Sequence, residues 1–112
     1  MVEYKKNKIV INGNEKTFNY DIRDVIEHNN KYYILLSIPF NQNEINNIYC
    51  LDEEVKFVWQ SEDLNSLFPN LKNLPYEQMG INNDVLYASD FYGRNYKIGL
   101  LDGKIGECII VK

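Results

Sequence analysis

Turn-forming residues cut this chain into short extended runs, and their spacing constrains the fold more than any other feature. Asn12-Gly13 is the strongest of these signals. Both central positions of a type I′ turn need positive φ, which Asn and Gly tolerate. Before it, Ile9 and Ile11 alternate with Lys8, Val10 and Asn12. After it, Phe18, Tyr20 and Ile22 alternate with Thr17, Asn19, Asp21 and Arg23, which predicts a strand with one wet face. His28-Asn29-Asn30, Asn82-Asn83-Asp84, Phe91-Tyr92-Gly93 and Asp102-Gly103 predict four further turns. Residues 31–38 are apolar on both faces and read as a central strand ended by Pro39. Residues 40–46 read as a polar loop, and 48–51 and 55–60 as two strands around the acidic knot Asp52-Glu53-Glu54.

Ser61 followed by Glu62 and Asp63 resembles a hydroxyl cap with acids in the first helical turn, and Pro69 stops that segment. The expectation is therefore a mainly β fold, an antiparallel β-sandwich or open barrel built from hairpins. It carries at most one short helix near 61–70. At 112 residues the chain makes a single domain, 1–112. Its 45 % hydrophobic content, with nine Tyr and five Phe, is too apolar for a disordered segment.

A net charge of −4 argues against direct nucleic-acid binding, which needs clustered Lys and Arg, and suits a cationic partner. Residues 1–13 hold no apolar stretch long enough for a signal peptide or a membrane span, so no membrane association and a cytoplasmic location are expected. Two cysteines, Cys50 and Cys108, are too few for a disulfide scaffold. Both sit in apolar runs and read as reduced, buried thiols, with a single bridge across the sheet as the alternative.

The charge is unevenly placed. Between residues 40 and 66, Glu44, Asp52, Glu53, Glu54, Glu62 and Asp63 face only Lys56, which leaves about −5 there and about +1 elsewhere. The knot at 52–54 lacks the spacing and glycine of a Ca²⁺ loop, so it reads as a hairpin turn and a surface for a basic partner. His28 is the only histidine and sits at a turn tip, and the chain has no close cysteine pair to join it. No catalytic set, metal site or cofactor is expected, and no enzymatic activity. Phe91 and Tyr92 sit at a turn, where exposed rings could anchor a partner.

Residues 47–60, NIYCLDEEVKFVWQ, resemble the blade motif of quinoprotein propellers, a strand ending in Leu-Asp, a turn, then a strand with Trp. Residues 86–107 look like the next such unit. The chain as a whole, with its opening I-x-I-N-G hairpin, resembles small single-domain bacterial immunity proteins encoded beside polymorphic, contact-dependent toxins. The resemblance implies a protein that binds and occludes a basic toxin domain, a nuclease for instance, and protects the producing cell. Glu44, Asp52, Glu53, Glu54, Glu62, Asp63, Phe91 and Tyr92 would then contact the toxin. The alternative is a non-catalytic peptide- or protein-binding β domain. Such sequences usually carry Gly after the acidic turn residues where this chain has Val55, and a β-branched residue resists positive φ. A different turn type is therefore expected at 52–55.

Overall fold

The computed structural model describes residues 2–110, with side chains described up to Gly106. Three antiparallel sheets follow one another along the chain. The first holds β1 (Val2–Lys5), β2 (Lys8–Ile11) and β3 (Asn14–Thr17). The second holds β4 (Ile22–His28), β5 (Lys31–Leu36), β6 (Ile48–Leu51) and β7 (Phe57–Gln60). After a four-residue helix, α1 (Leu64–Leu67), the third holds β8 (Tyr76–Asn82), β9 (Val85–Asp90), β10 (Arg94–Ile98) and β11 (Ile105–Ile110). Every neighbour in a sheet is the next strand in sequence, so the whole fold is made of hairpins and does not close into a barrel.

The second sheet is the middle layer. Tyr32, Ile34 and Leu36 of β5 face a core shared with Ile9, Ile11 and Phe18. Tyr33 and Leu35 face the other way, into a core with Trp59, Tyr76, Leu86, Tyr96 and Ile98. Two cores on two faces explain why residues 32–36 carry no polar alternation. Cys50 is buried in the second of these cores as a free thiol. The side chain of Cys108 lies outside the described residues.

The turn chemistry follows the sequence closely. Asn12 and Gly13 have φ of 50° and 84°, Asn29 and Asn30 of 50° and 63°, and Asn83 and Asp84 of 51° and 59°. Two expectations need correction. Residues 17–23 are not one strand: β3 ends at Thr17 and β4 begins at Ile22, because the chain crosses from one sheet to the next over 18–21. The alternation there is real, with Phe18 and Ile22 buried, but it reports packing between layers. The helix is capped two residues later than expected: Asp63, not Ser61, accepts from the Asn65 amide. Ser61 is buried instead, and its amide donates to the Ile48 carbonyl. The strand β1 was not anticipated, although Val2 and Tyr4 alternate with Glu3 and Lys5 ahead of the Lys6-Asn7 turn.

The second and third sheets repeat one pairing scheme. In the second, Ile22 pairs with Leu36 and Asp24 with Leu35, which leaves Arg23 as an extra bulge residue. In the third, Tyr76 pairs with Asp90 and Gln78 with Ser89, which leaves Glu77 in the same place. A second bulge recurs at Val58, between the pairs Cys50–Trp59 and Leu51–Phe57, and at Gly106, between Lys97–Glu107 and Ile98–Ile105. Bulges re-aim side chains. Here Arg23 is aimed at Glu77, with an ion pair of 3.0 Å and a bond from Nη1 to the Glu77 carbonyl at 3.2 Å.

Burial pushes the Cys50 thiol up to about 11, ahead of any effect of its neighbours Lys31, Tyr33 and Asp52. The thiolate is the reactive form, so at neutral pH the folded protein should alkylate at Cys50 only through opening of the core. Iodoacetamide labelling read site by site by mass spectrometry should therefore be slow at Cys50 in buffer and fast in denaturant. Comparable rates in both would contradict the burial of this side chain.

Candidate binding surface

The acidic hairpin between β6 and β7 is built by its first acid. One oxygen of the Asp52 carboxylate, Oδ1, accepts from the Glu54 amide at 2.8 Å and the Lys56 amide at 3.0 Å. The Asp52 carbonyl accepts from the Val55 amide at 3.1 Å. These amide donors hold the Asp52 carboxyl below its ordinary value of 3.8, the Lys56 bond contributing most. This contribution to stability is therefore present above pH 3.8 and is lost as pH falls through the folded value. Acid denaturation should therefore begin below that point, and a stability that rises on acidification there would contradict it.

Val55 takes φ of 58°. The expectation that a β-branched residue would force another turn is thus overturned, because the three bonds to Asp52 hold Val55 in the left-handed region despite the strain. Val55→Gly relieves that strain but also removes a half-buried side chain packed on the core of Ile9 and Ile11 and frees the unfolded chain, so the stability should stay within about 1 kcal/mol of the native value. Urea unfolding checks this, and a loss of about 2 kcal/mol or more would show that the left-handed conformation carries little strain.

The 90–94 turn has the same architecture. Asp90 Oδ1 accepts from the Tyr92 and Arg94 amides at 3.0 and 3.1 Å, and its carbonyl accepts from the Gly93 amide at 3.1 Å. Gly93, at φ 82°, stands where Val55 stands in the other turn. The difference is in the fifth residue. Arg94 Nε donates to Asp90 Oδ2 at 2.7 Å, and the pair is almost wholly buried, with side chains 9 % and 0 % exposed. Arg94 Nη2 also donates to the Lys72 carbonyl at 2.8 Å, which ties the 69–75 segment to this turn.

Above this buried pair stand the two rings. Phe91 is 74 % and Tyr92 57 % exposed, with centroids 6.3 Å apart. The Arg94 guanidinium lies 5.4 Å from the Tyr92 centroid, which fixes that ring on a charged shelf. Leu71, also exposed, precedes the Lys72 carbonyl that Arg94 holds.

The remaining expected contact residues are divided. Asp52, Glu53 and Glu54 precede β7, while Glu62 and Asp63 follow it, so the strand's own length of roughly 13 Å separates the two groups. Glu54 is paired with Lys56 at 3.6 Å on the surface. Glu62 Oε1 accepts from the Ile105 amide at 2.9 Å, and its amide donates to the Gly103 carbonyl, so it pins the end of β7 to the third sheet. Asp63 caps α1 and also accepts from Ser66 Oγ and Asn46 Nδ2, bonds that keep its carboxyl below the ordinary range. Glu44 is exposed in the loop before Ile45, and Glu53 is exposed at the hairpin tip. Of the six acids, Glu44, Glu53 and Glu54 keep their carboxylates free of backbone duty.

His28 Nε2 lies 3.0 Å from Asp84 Oδ1 and 3.2 Å from Asn29 Nδ2, so it joins the tips of the β4–β5 and β8–β9 hairpins. Among the described residues no group of three or more His, Cys, Asp or Glu side chains is arranged to hold a metal ion. Among them, too, no helix is long and apolar enough to cross a membrane.

Two groups that hold this surface in place were not singled out from sequence. Arg94, four residues after Asp90 across a Gly-containing turn, carried a readable signal in that spacing. Asn47 carried none. It is 2 % exposed, and its side chain donates to the Leu36 and Tyr76 carbonyls at 2.7 and 2.9 Å and accepts from the Tyr76 amide at 2.9 Å. It thereby staples the second sheet to the third.

These features define a hairpin-built, three-sheet β domain that presents two rings on a buried ion pair. The chain belongs to a family described as a domain of unknown function, DUF7957, whose model matches residues 1–108. No curated protein matches the chain. Among solved structures it is similar to the computationally designed Ika8 protein, at 6 % identity and a TM-score of 0.61 over 96 % of this chain and 35 % of that one. The chain thus spans about a third of the designed chain's length, and the likeness is one of fold.

Proposed function

We propose that this domain is a non-catalytic protein-binding module and, more narrowly, an immunity protein that occludes a basic toxin domain. The observation that carries the reading is the pair Phe91 and Tyr92, exposed on a turn whose conformation is fixed by the buried Asp90–Arg94 pair. Binding hot spots favour aromatic anchors that lose little conformational freedom on association. The exposed carboxylates of Glu44, Glu53 and Glu54 lie outside that anchor and would act on approach, by steering a cationic partner. The toxin-directed form of the reading comes from the resemblance of the sequence to immunity proteins.

A second reading has its own observation. β7 is an edge strand of the second sheet, with Phe57 60 % exposed and Val58 also exposed. Such an edge can take an added strand from a peptide.

Co-expression with the C-terminal domain of a secreted protein encoded beside this chain tests the first reading. Survival of the cells and co-purification of the two proteins are expected. Death of the cells, with no complex recovered, would remove the immunity role.

A further inference from the structure

Between the first and second sheets lies a cleft of about 200 Å³ lined by Lys16, Phe18, Tyr20, Glu44, Tyr49 and Phe57, among others. Its walls are aromatic. The Tyr49 ring stands 5.3 Å from Phe18 and 6.5 Å from Phe57, nearly edge-on to the latter. Phe57 nonetheless leaves 60 % of its surface in water. It sits beside the Val58 bulge on the edge strand β7.

The charged groups of the cleft are Glu44 and Lys16, and the acceptors Glu44 and Tyr20 suit a cation. Glu44 lines it and forms no ion pair among the described residues. The Tyr20 hydroxyl donates to Gln42 Oε1 at 3.4 Å and keeps its lone pairs for a further donor. Tyr49 is held protonated, first by burial and then by the nearby charge of Glu44 and by Tyr20. The inner wall already has a cation on it: Lys16 Nζ lies 5.5 Å from the centroid of Phe18.

We propose that this cleft binds an arginine side chain of a protein partner, with its guanidinium stacked on Phe57 and donating to the Glu44 carboxylate. A flat ring and a carboxylate lining one cleft match a planar guanidinium, which stacks and donates in a fork at once. A compact ammonium would use only one of the two, and Lys16 supplies that charge over Phe18 already. The volume admits one long side chain rather than a peptide backbone. The inference goes beyond the binding role proposed above and does not require it, since the cleft is remote in sequence from Phe91 and Tyr92.

The test uses the whole chain alone, titrated at low ionic strength with Nα-acetyl-arginine amide and followed by NMR. The expected result is saturable shifts at Tyr20, Tyr49 and Phe57 with a dissociation constant of about 1–10 mM, the range for one stacked cation with one charge-assisted bond. Glu44→Gln and Phe57→Ser change exposed side chains, and each should weaken binding about fivefold or more with the remaining spectrum unchanged. The neutral citrulline analogue should give no saturable shift, and the lysine analogue a weaker one. Absence of saturation with arginine, an equal response to citrulline or lysine, or indifference to both substitutions would overturn the proposal. None of these outcomes depends on whether a toxin partner is found.

Discussion

Asp90→Ala should lower the stability of the domain by about 3–5 kcal/mol, the cost of leaving a buried charge without its partner. Arg94 would keep its guanidinium inside the protein, with the Lys72 carbonyl as its remaining bonded acceptor. The same substitution removes the acceptor of the Tyr92 and Arg94 amides, so the 90–94 turn loses its frame. Domains of this kind carry about 5–15 kcal/mol in total, so a large fraction would go at once. Asp90→Asn keeps an oxygen for the two amides and should fall between the wild type and Asp90→Ala. The double change Asp90→Ala with Arg94→Ala should cost less than the sum of the two single changes, because the second relieves the charge that the first exposes. Urea unfolding of the wild type, the three single variants and the double variant measures this. A loss under about 1 kcal/mol for Asp90→Ala would mean the pair is solvated and the turn is held by other means.

Asn47→Ala should cost about 3 kcal/mol or more. Three buried backbone groups lose the amide that serves them, and each such loss costs about 1–3 kcal/mol before relaxation. Because those groups belong to Leu36 and Tyr76, the damage falls on the junction of the second and third sheets. Asn47→Asp separates hydrogen bonding from volume. Its carboxylate would face the Leu36 and Tyr76 carbonyls where the native side chain donates, at nearly the same size. Protonation restores one donor, so Asn47→Asp should be the worse variant at neutral pH and should recover part of its loss on mild acidification. Equal stability of the native protein and Asn47→Ala would show that the junction of the two sheets does not depend on this amide.

Hairpins were legible wherever the turn chemistry is local. Asn12-Gly13 and Asn29-Asn30 have the positive φ their residue types favour, and β5 lies where the doubly apolar run placed it. Reading failed where one pattern has two causes. Phe18, Tyr20 and Ile22 alternate because they pack between layers, which looks in sequence like a strand. Val55 shows the opposite failure. Its side chain disfavours the left-handed region, but three bonds to one aspartate outweigh that preference. The acidic segment was the least legible part of the surface. A carboxylate that caps a helix, pins a strand or closes a turn is indistinguishable in sequence from one that faces a partner. Asp63, Glu62 and Asp52 turned out to be of the first three kinds.

The claim that the 90–94 turn is the anchor and the acids only steer is tested by partner-binding kinetics of two variants. Phe91→Ser with Tyr92→Ser should weaken the affinity about 30-fold or more, mainly by faster dissociation, with the fold intact. Glu53→Lys with Glu54→Lys leaves Asp52 to build its turn, and should slow association and flatten its salt dependence with dissociation nearly unchanged. Full affinity in the aromatic variant, or a collapse of binding in the charge variant through dissociation, would contradict that division of roles.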